Sequence, residues 1–288
     1  MKLAVCLFGN VGISKDASER SKKKLFEEST IADTDPEICF ENIKNFFLDK
    51  YETDVFIHSW SKNYENSLKN LYDPKSSKFE EQIIFNPTLE EYGINKKLEI
   101  NDWMVSDIAK KSYNLLLPSR IDKQGVLDDL ESLSFRSHSR WYSTKESIKL
   151  MSEFSKSTNT NYDFVLSTRI DCLFKKELDL NNLDNNKFYA SFRKGRDDEN
   201  IALYDFFFLS NQKKMEDFSE LYDCIYEYSI RPPFASMEHA IKIASKENIV
   251  HLLDYREDYD KVREIKVPEK NNLIRKILKI LFNSLNIN

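Results

Sequence analysis

The feature that most constrains the fold is a series of short apolar runs, separated by helical patterns and turns. The first run extends from Lys2 to Phe8 and ends in the turn Gly9-Asn10-Val11-Gly12. A strand that is buried on both faces of a parallel sheet has this pattern. The run is too short for a signal peptide and no cleavage site follows it, so we interpret it as the first strand.

A helical pattern and a second apolar run follow, and together they predict a βαβ unit. Residues 13–35 are polar, and helical spacing begins at Pro36. The second strand is TDVFIHSW, from Thr53 to Trp60. Two buried strands joined by a helix pair in parallel through a right-handed crossover.

The rest of the chain continues the alternation of strands and helices. Helical spacing covers residues 136–156 and about 212–228, and another helix is expected from Glu238, after the break at Pro232-Pro233. The further strands are predicted at Gln82–Phe85, Tyr162–Leu166, Lys187–Phe192, Tyr204–Leu209 and Ile249–Leu253. This order predicts an α/β fold with an open, mostly parallel twisted sheet and helices on both faces.

We expect one domain over residues 1–260, in which residues 61–135 form a partly helical insertion on the acceptor side, and a tail over residues 261–288. The tail alternates apolar and basic residues from Leu273 to Leu281, as in an amphipathic helix. Such a helix binds an anionic membrane interface, or it docks on the protein's own core or on a second copy. Both interpretations are open.

Composition excludes several classes of protein. The net charge of −5 argues against a nucleic-acid binder, which needs basic side chains to neutralise phosphates. No run approaches the ~20 apolar residues that span a bilayer. The four cysteines are widely spaced, with no CxxC pair, which fits free thiols in a reducing compartment. We expect a cytoplasmic protein, or one bound peripherally to the inner face of the membrane.

Polar residues lie at the ends of several predicted strands, namely Asn10, His58, Asp171 and Asp205. In open α/β sheets, ligands bind outside the carboxyl ends of the strands. The strongest local pattern is YDFVLSTRIDCLF, in which Arg169 offers a fork for phosphate and Asp171 a ligand for Mg²⁺ or Mn²⁺. An Arg–Asp pair that only ties the strand end to a neighbouring helix is an equal alternative.

The ordered motifs resemble a family of bacterial capsule and lipopolysaccharide glycosyltransferases with a GT-A-like fold. The motifs that carry the resemblance are AVCLFGN, TDVFIHSW, RWYSTKESIKLM, YDFVLSTRID, YDFFFLSN, KKMEDFSELYD and SMEHAIKIASKENIV, which span residues 2–253. The resemblance implies transfer of a sugar from a nucleotide-diphosphate donor to a surface glycan or a lipid-linked oligosaccharide. It also implies a divalent cation, Mn²⁺ or Mg²⁺.

The resemblance places Arg169-Ile170-Asp171 where GT-A enzymes carry an Asp-x-Asp motif, so Arg169 stands at the position of the first Asp. Dependence on a metal ion is therefore open. Phe8, Gly9 and Asn10 would border the base and ribose. Since no Arg follows Gly9, Arg140, Arg20 or the lysines at 22–24 are the candidates for phosphate binding.

Four more residues receive candidate roles. His58 would bind the nucleotide and Trp60 would stack on its base, unless both belong to the core. Asp205 would bind sugar hydroxyls, or it caps its strand. Glu238 would remove the acceptor proton in an inverting transfer, or it is an ordinary Glu in a first helical turn. His251 would be a late metal ligand, or it is structural.

Two other functions stay open beside the transferase. A sugar-phosphate nucleotidyltransferase would use the same sheet, but that class begins with a basic glycine-rich loop that FGNVG does not supply. A non-catalytic glycan-assembly partner with a degenerate GT-A-like fold would explain the missing first Asp.

Overall fold

The computed structural model of the chain describes residues 1–12, 31–87, 91, 123–195, 201–262 and 264–266. The strands are β1 Lys2–Gly9, β2 Ile31–Asp33, β3 Glu52–Ser59, β4 Ser76–Phe79, β5 Phe164–Arg169, β6 Cys172–Phe174, β7 Phe188–Phe192, β8 Tyr204–Ser210, β9 Ile249–Asp254, β10 Tyr259–Lys261 and β11 Glu264–Lys266. The α-helices are α1 Pro36–Ile43, α2 Glu65–Tyr72, α3 Lys123–Thr158, α4 Gln212–Ser219 and α5 Pro232–Ala244.

Seven strands form the main sheet, in the order β4-β3-β1-β5-β8-β7-β9. Strand β8 is antiparallel to both of its neighbours, and the other pairs are parallel. This strand order confirms the predicted α/β fold with an open, mostly parallel sheet, as in a GT-A-like fold. Two short pairs, β6–β10 and β2–β11, lie beside the main sheet.

Each face of the sheet is buried under helices. Alternate residues of β1 point to opposite faces, so Leu3 and Leu7 pack in one core cluster and Ala4 and Cys6 in the other. The first cluster includes side chains of α1 and α2, and the second includes side chains of α3, α4 and α5. Helices on both faces were predicted, and the structure has them.

Local signals begin several helices where the sequence has a cap or a proline. Asp35 accepts a hydrogen bond from the backbone N–H of Glu37 at the start of α1, and Pro36 occupies the first turn, where its missing N–H costs nothing. The same proline effect begins α5 at Pro232. The prediction that this helix opens at Glu238 was wrong, because Pro232-Pro233 begins the helix and does not interrupt the chain before it.

Other predicted boundaries also differ. Residues 81–87 have no regular structure, and the edge strand is Ser76–Phe79 instead. This strand has no buried residue, so it lacks the apolar run that predicts a strand. The predicted helix at 212–228 ends as an α-helix at Ser219 and continues in 3₁₀ turns.

The expected insertion at 61–135 and the expected tail are only partly visible. Within the first, the structure describes α2, β4 and the start of α3; of the tail it describes Lys261, Val262 and β11. The apolar and basic residues from Leu273 to Leu281 lie outside the described residues. Among the described residues, no helix has the length and apolar character to cross a membrane.

Candidate functional site

The carboxyl edge of the main sheet gathers three of the predicted site residues. Asn10 follows β1 and Asp171 follows β5, two parallel neighbours. Asp205 is the second residue of β8, and because β8 runs antiparallel, its beginning lies at the edge where β1 and β5 end. The reversed strand therefore brings an acidic residue to the ligand-binding edge from its amino end.

Arg169 and Asp171 form a closed ion pair at this edge. Arg169 Nε donates to Asp171 Oδ1 at 2.6 Å, and a terminal guanidinium nitrogen of Arg169 donates to Asp171 Oδ2. Asp171 is only 1% exposed. Burial acts to lower the pKa of Arg169, but the Asp171 carboxylate outweighs burial and holds that pKa above its usual value. Both carboxylate oxygens are thus occupied by the neighbouring guanidinium.

Arg140 is the least satisfied charge of the site. It is 8% exposed, and among the described residues none of its three side-chain nitrogens has a hydrogen-bond partner. Its nearest carboxylate is Asp205, with 3.4 Å from Nε to Oδ2. Burial lowers the pKa of Arg140 to about 10, against the attraction of Asp205. A buried donor without a partner costs about 1–3 kcal/mol, so the rest of the fold must hold this guanidinium in place.

Aromatic rings fix the position of Arg140. Its guanidinium carbon lies 4.1 Å from the ring centroid of Phe8, within the range of a cation–π contact. Phe8 is 1% exposed and is aligned in the sheet with Arg169 of β5. The strand therefore supplies a rigid base on which the guanidinium from α3 rests.

Three cations surround one half-buried ring, that of Phe206 on β8. Its centroid lies 4.5 Å from Lys261 Nζ, 5.5 Å from the guanidinium carbon of Arg169 and 5.7 Å from that of Arg140. Lys261 lies on β10, where it is paired with Cys172 of β6. The next residue, Val262, donates a backbone hydrogen bond of 2.8 Å to the carbonyl oxygen of Asp171. We call Arg140, Arg169 and Lys261 the cation cluster.

Half-buried aromatic side chains border the cation cluster. The rings of Tyr204 and Tyr255 are stacked, with centroids 5.5 Å apart, and Tyr255 also contacts Phe206 at 5.2 Å. Rings of this kind bind bases and the apolar faces of sugars. The sequence prediction missed Tyr255 and Lys261. Tyr255 directly follows β9, so the strand-end rule applied one residue beyond that strand would have found it, whereas nothing in the local sequence singles out Lys261.

The residues expected to border the base and ribose lie next to the cluster. Gly9 has a backbone φ of +110°, an angle that residues with a side chain rarely adopt. A Cβ atom at this position would meet nothing within 4 Å. The side-chain oxygen of Asn10 is buried and has no hydrogen-bond partner among the described residues. Asn10 thus offers a hydrogen-bond acceptor to a ligand, next to the uncrowded backbone of Gly9.

His58 and Trp60 lie in a packed network instead of at an open surface. His58 is fully buried, with Nδ1 at 2.6 Å from Ser143 Oγ and Nε2 at 3.0 Å from Glu80 Oε1. Burial lowers the pKa of His58. Trp60 stacks on Tyr142 with centroids 5.3 Å apart. These contacts favour the alternative that both residues belong to the core.

Glu238 on α5 and His251 on β9 lie on other elements than the residues of the cation cluster. Glu238 Oε2 accepts a hydrogen bond of 3.0 Å from Ser229 N, while Oε1 is buried with no partner among the described residues. His251 lies in the middle of β9, and its ring stacks on Phe192 with centroids 5.0 Å apart. Two strands separate β9 from β5, so the backbone at His251 is about 14 Å from β5 at ordinary strand spacing.

The side chains that the described residues bring to the site do not fit a divalent cation. Mg²⁺ and Mn²⁺ require oxygen ligands with free lone pairs, and both oxygens of Asp171 accept from Arg169. His251 is too far from Asp171 for the two to share an ion. No group of three His, Cys, Asp or Glu side chains in the described parts of the chain could hold one. Arg20 and the lysines at 22–24 lie outside the described residues.

Comparisons with known proteins give only distant similarity. No family model matches the chain, and no curated protein matches it. Among solved structures, the match to an active-site mutant of LgtC covers 87% of this chain and 72% of the LgtC chain, at 11% identity and a TM-score of 0.35.

Two further solved structures are similar over the same share of the chain. The galactosyltransferase LgtC in complex with donor and acceptor sugar analogues covers 87% of this chain and 73% of its own length, at 13% identity and a TM-score of 0.31. Mouse xyloside xylosyltransferase 1 in its apo form covers 87% and 84%, at 9% identity and a TM-score of 0.34. Identities and TM-scores this low do not indicate what this chain does.

Proposed function

We propose that this protein is a glycosyltransferase, which moves a sugar from a nucleotide-diphosphate donor to a glycan. The acceptor we propose is a capsular or lipopolysaccharide chain, or its lipid-linked precursor. The observation that carries the proposal is the buried guanidinium of Arg140, which lacks hydrogen-bond partners among the described residues at the ligand-binding edge of an α/β sheet. A buried guanidinium that makes no hydrogen bonds is costly, and phosphate is one of the anions whose geometry its planar fork matches.

The surroundings of Arg140 support a nucleotide sugar over a simple anion. Phe206, Tyr204 and Tyr255 offer ring faces for a base or a sugar beside the cations. Asn10 and Gly9, which follow Phe8 in the chain, offer a polar side chain and an uncrowded backbone. A diphosphate with apolar faces at both ends matches this combination of charge and aromatic surface.

Transfer breaks the bond from the anomeric carbon to the diphosphate and forms a bond from that carbon to the acceptor oxygen. The leaving diphosphate gains negative charge, which the fixed cations stabilise. The acceptor hydroxyl loses a proton, and in an inverting reaction a carboxylate takes it. Of the two predicted carboxylates, Asp205 lies beside Arg140, whereas Glu238 is engaged by Ser229. The contacts therefore favour Asp205 for this step.

The experiment measures release of nucleoside diphosphate from a panel of UDP- and GDP-sugars by the wild type and by Asp205→Asn. We expect the wild type to hydrolyse one donor slowly without an acceptor, and Asp205→Asn to lose about 100-fold in rate as a lost acid–base group does. Glu238→Gln tests the other carboxylate in the same assay. Asp223→Asn, at an exposed acid paired with Lys145, is the matched control.

Two outcomes would count against the proposal. If no donor in the panel is bound or cleaved, the chain is a non-catalytic partner in glycan assembly. If the protein instead joins a nucleoside triphosphate and a sugar phosphate into a nucleotide sugar, with release of pyrophosphate, it is a nucleotidyltransferase. Activity that Asp205→Asn retains in full would remove that carboxylate from the mechanism.

A further inference from the structure

We propose that the diphosphate of the donor is bound by the cation cluster without a divalent metal ion, with Lys261 as the third cation. This inference rests on the proposed function, since it concerns how the same site holds its donor. The site side chains supply three positive charges, those of Arg140, Arg169 and Lys261, against the carboxylates of Asp171 and Asp205.

The two arginines contribute differently. Arg169 is bound at Nε and one terminal nitrogen by Asp171, so most of its charge is already compensated. In the described parts of the chain, the one carboxylate that pairs with Arg140 is that of Asp205, at 3.4 Å. Its three nitrogens are buried and unpartnered among the described residues, and the contact with Phe8 holds the guanidinium in one place. Arg140 is therefore the donor group that a phosphate satisfies most directly.

Lys261 completes the set from a separate element. The sheet and α3 supply the arginines, but Lys261 comes from β10, which is fastened to the segment after β5 by its pairing with β6. Its Nζ lies nearest of the three cations to the Phe206 ring. A lysine provides a mobile point charge, which follows the charge that develops on the leaving diphosphate.

The acid that a metal ion would use is already occupied. A metal bridging Asp171 and the diphosphate would have to displace both hydrogen bonds from Arg169. A metal would also place a second positive charge beside Arg169. The cation cluster supplies the same neutralisation without this rearrangement.

The test is isothermal titration of the full chain with UDP and with GDP, first in EDTA and then with Mn²⁺ or Mg²⁺. We expect one of the two nucleotides to bind in EDTA, and added metal to change Kd by less than about threefold. Lys261→Ala should weaken binding about tenfold, the effect of losing one charge-assisted contact. Lys261→Gln is a second variant that keeps most of the aliphatic chain over Phe206.

Lys149→Ala is the matched control, because Lys149 lies on α3 like Arg140 but is exposed and pairs with Glu153. It removes the same charge and should leave Kd unchanged. Binding that occurs only with Mn²⁺ or Mg²⁺ would overturn the inference and leave the proposed function standing. Equal binding by the wild type and both Lys261 variants would remove Lys261 from the site. Absence of binding under every condition would contradict the inference and the proposed function together.

Discussion

Two polar clusters lie near the carboxyl ends of β3 and β5, which β1 separates in the sheet, and they differ in how completely their hydrogen bonds are satisfied. Around His58, both ring nitrogens are bonded, and Lys78 Nζ reaches Glu80 at 3.1 Å and Glu146 at 2.9 Å. In the cation cluster, Arg169 is paired but Arg140 is left without hydrogen bonds among the described residues.

The difference separates a structural network from a site prepared for a ligand. A cluster whose donors and acceptors are all paired stabilises the fold and gives a ligand nothing to bind. An unsatisfied buried donor lowers the free energy of unfolding, and a ligand that accepts a hydrogen bond from that donor restores part of it. Both clusters have the same signal in the sequence, a polar residue at the end of an apolar strand.

The largest expected effect on stability follows removal of Asp171. Asp171→Ala removes the fully buried partner of the largely buried Arg169, which should lower the free energy of unfolding by about 3–5 kcal/mol. Urea unfolding measures the loss. The matched control, Asp223→Ala, removes an exposed acid and should cost less than about 1 kcal/mol. A loss at Asp171 no larger than the control would mean that the Arg169 pair contributes nothing to folding.

Removal of His58 should have the next largest effect. His58→Phe keeps a ring against Trp60 and Tyr142 but leaves Ser143 without the His58 ring nitrogen and Glu80 with Lys78 alone among the described residues. We expect a loss of about 2–3 kcal/mol in the same urea experiment, the cost of unsatisfied buried groups. An unchanged stability would show that water replaces these bonds, so that the network is not structural.

The satisfied cluster should also make stability depend on pH. Burial lowers the pKa of His58, and likewise the pKa of His138 and of His239. Between each folded pKa and the unfolded value near 6.5, the unfolded chain binds more protons. Stability should therefore be full above that value and fall as the pH drops below it, by at most about 1.4 kcal/mol per pH unit for each histidine.

Urea unfolding of the wild type at about pH 7.5 and about pH 5.5 tests this dependence, with His58→Phe as the comparison. The variant should show a shallower loss, because one of the three histidines no longer titrates. An identical dependence of stability on pH in the two proteins would show that the protonation of His58 does not change between the folded and the unfolded state.

Much of the fold could be predicted from the sequence, because the buried strands are continuous apolar runs. Residues 3–8 of β1 are all buried, as the run from Lys2 to Phe8 indicates. The edge strand Ser76–Phe79 has no buried residue, so its pattern carries no such signal. The reversal of β8 could not be read either, since an apolar strand has the same composition in both directions.

The site could be predicted only in part. The strand-end rule finds Asn10, Asp171 and Asp205, and it also finds His58, which the structure buries among partners. Periodicity places Arg140 on a helix but does not show whether its guanidinium is satisfied. That property depends on residues far apart in the sequence, as does the approach of Lys261 to Phe206 through β10.

Arg140→Leu should have the smallest effect on stability among these substitutions. The change removes donors that have no hydrogen-bond partners among the described residues and keeps an apolar side chain over Phe8. We expect the free energy of unfolding to change by less than about 1 kcal/mol, because the guanidinium makes no hydrogen bond within the described residues and its ion-pair partner, Asp205, stays partly exposed to solvent. A loss as large as that of Asp171→Ala would show that Arg140 stabilises the fold as Arg169 does.

The most direct test of the contrast between the clusters is the rise in Tm that UDP or GDP produces in three proteins. A ligand that binds only the folded state raises Tm according to its concentration and affinity. The wild type and His58→Phe should show the same rise with one nucleotide, and Arg140→Leu should show none. A full rise in Arg140→Leu, or its loss in His58→Phe, would contradict the assignment of the cation cluster as the nucleotide site.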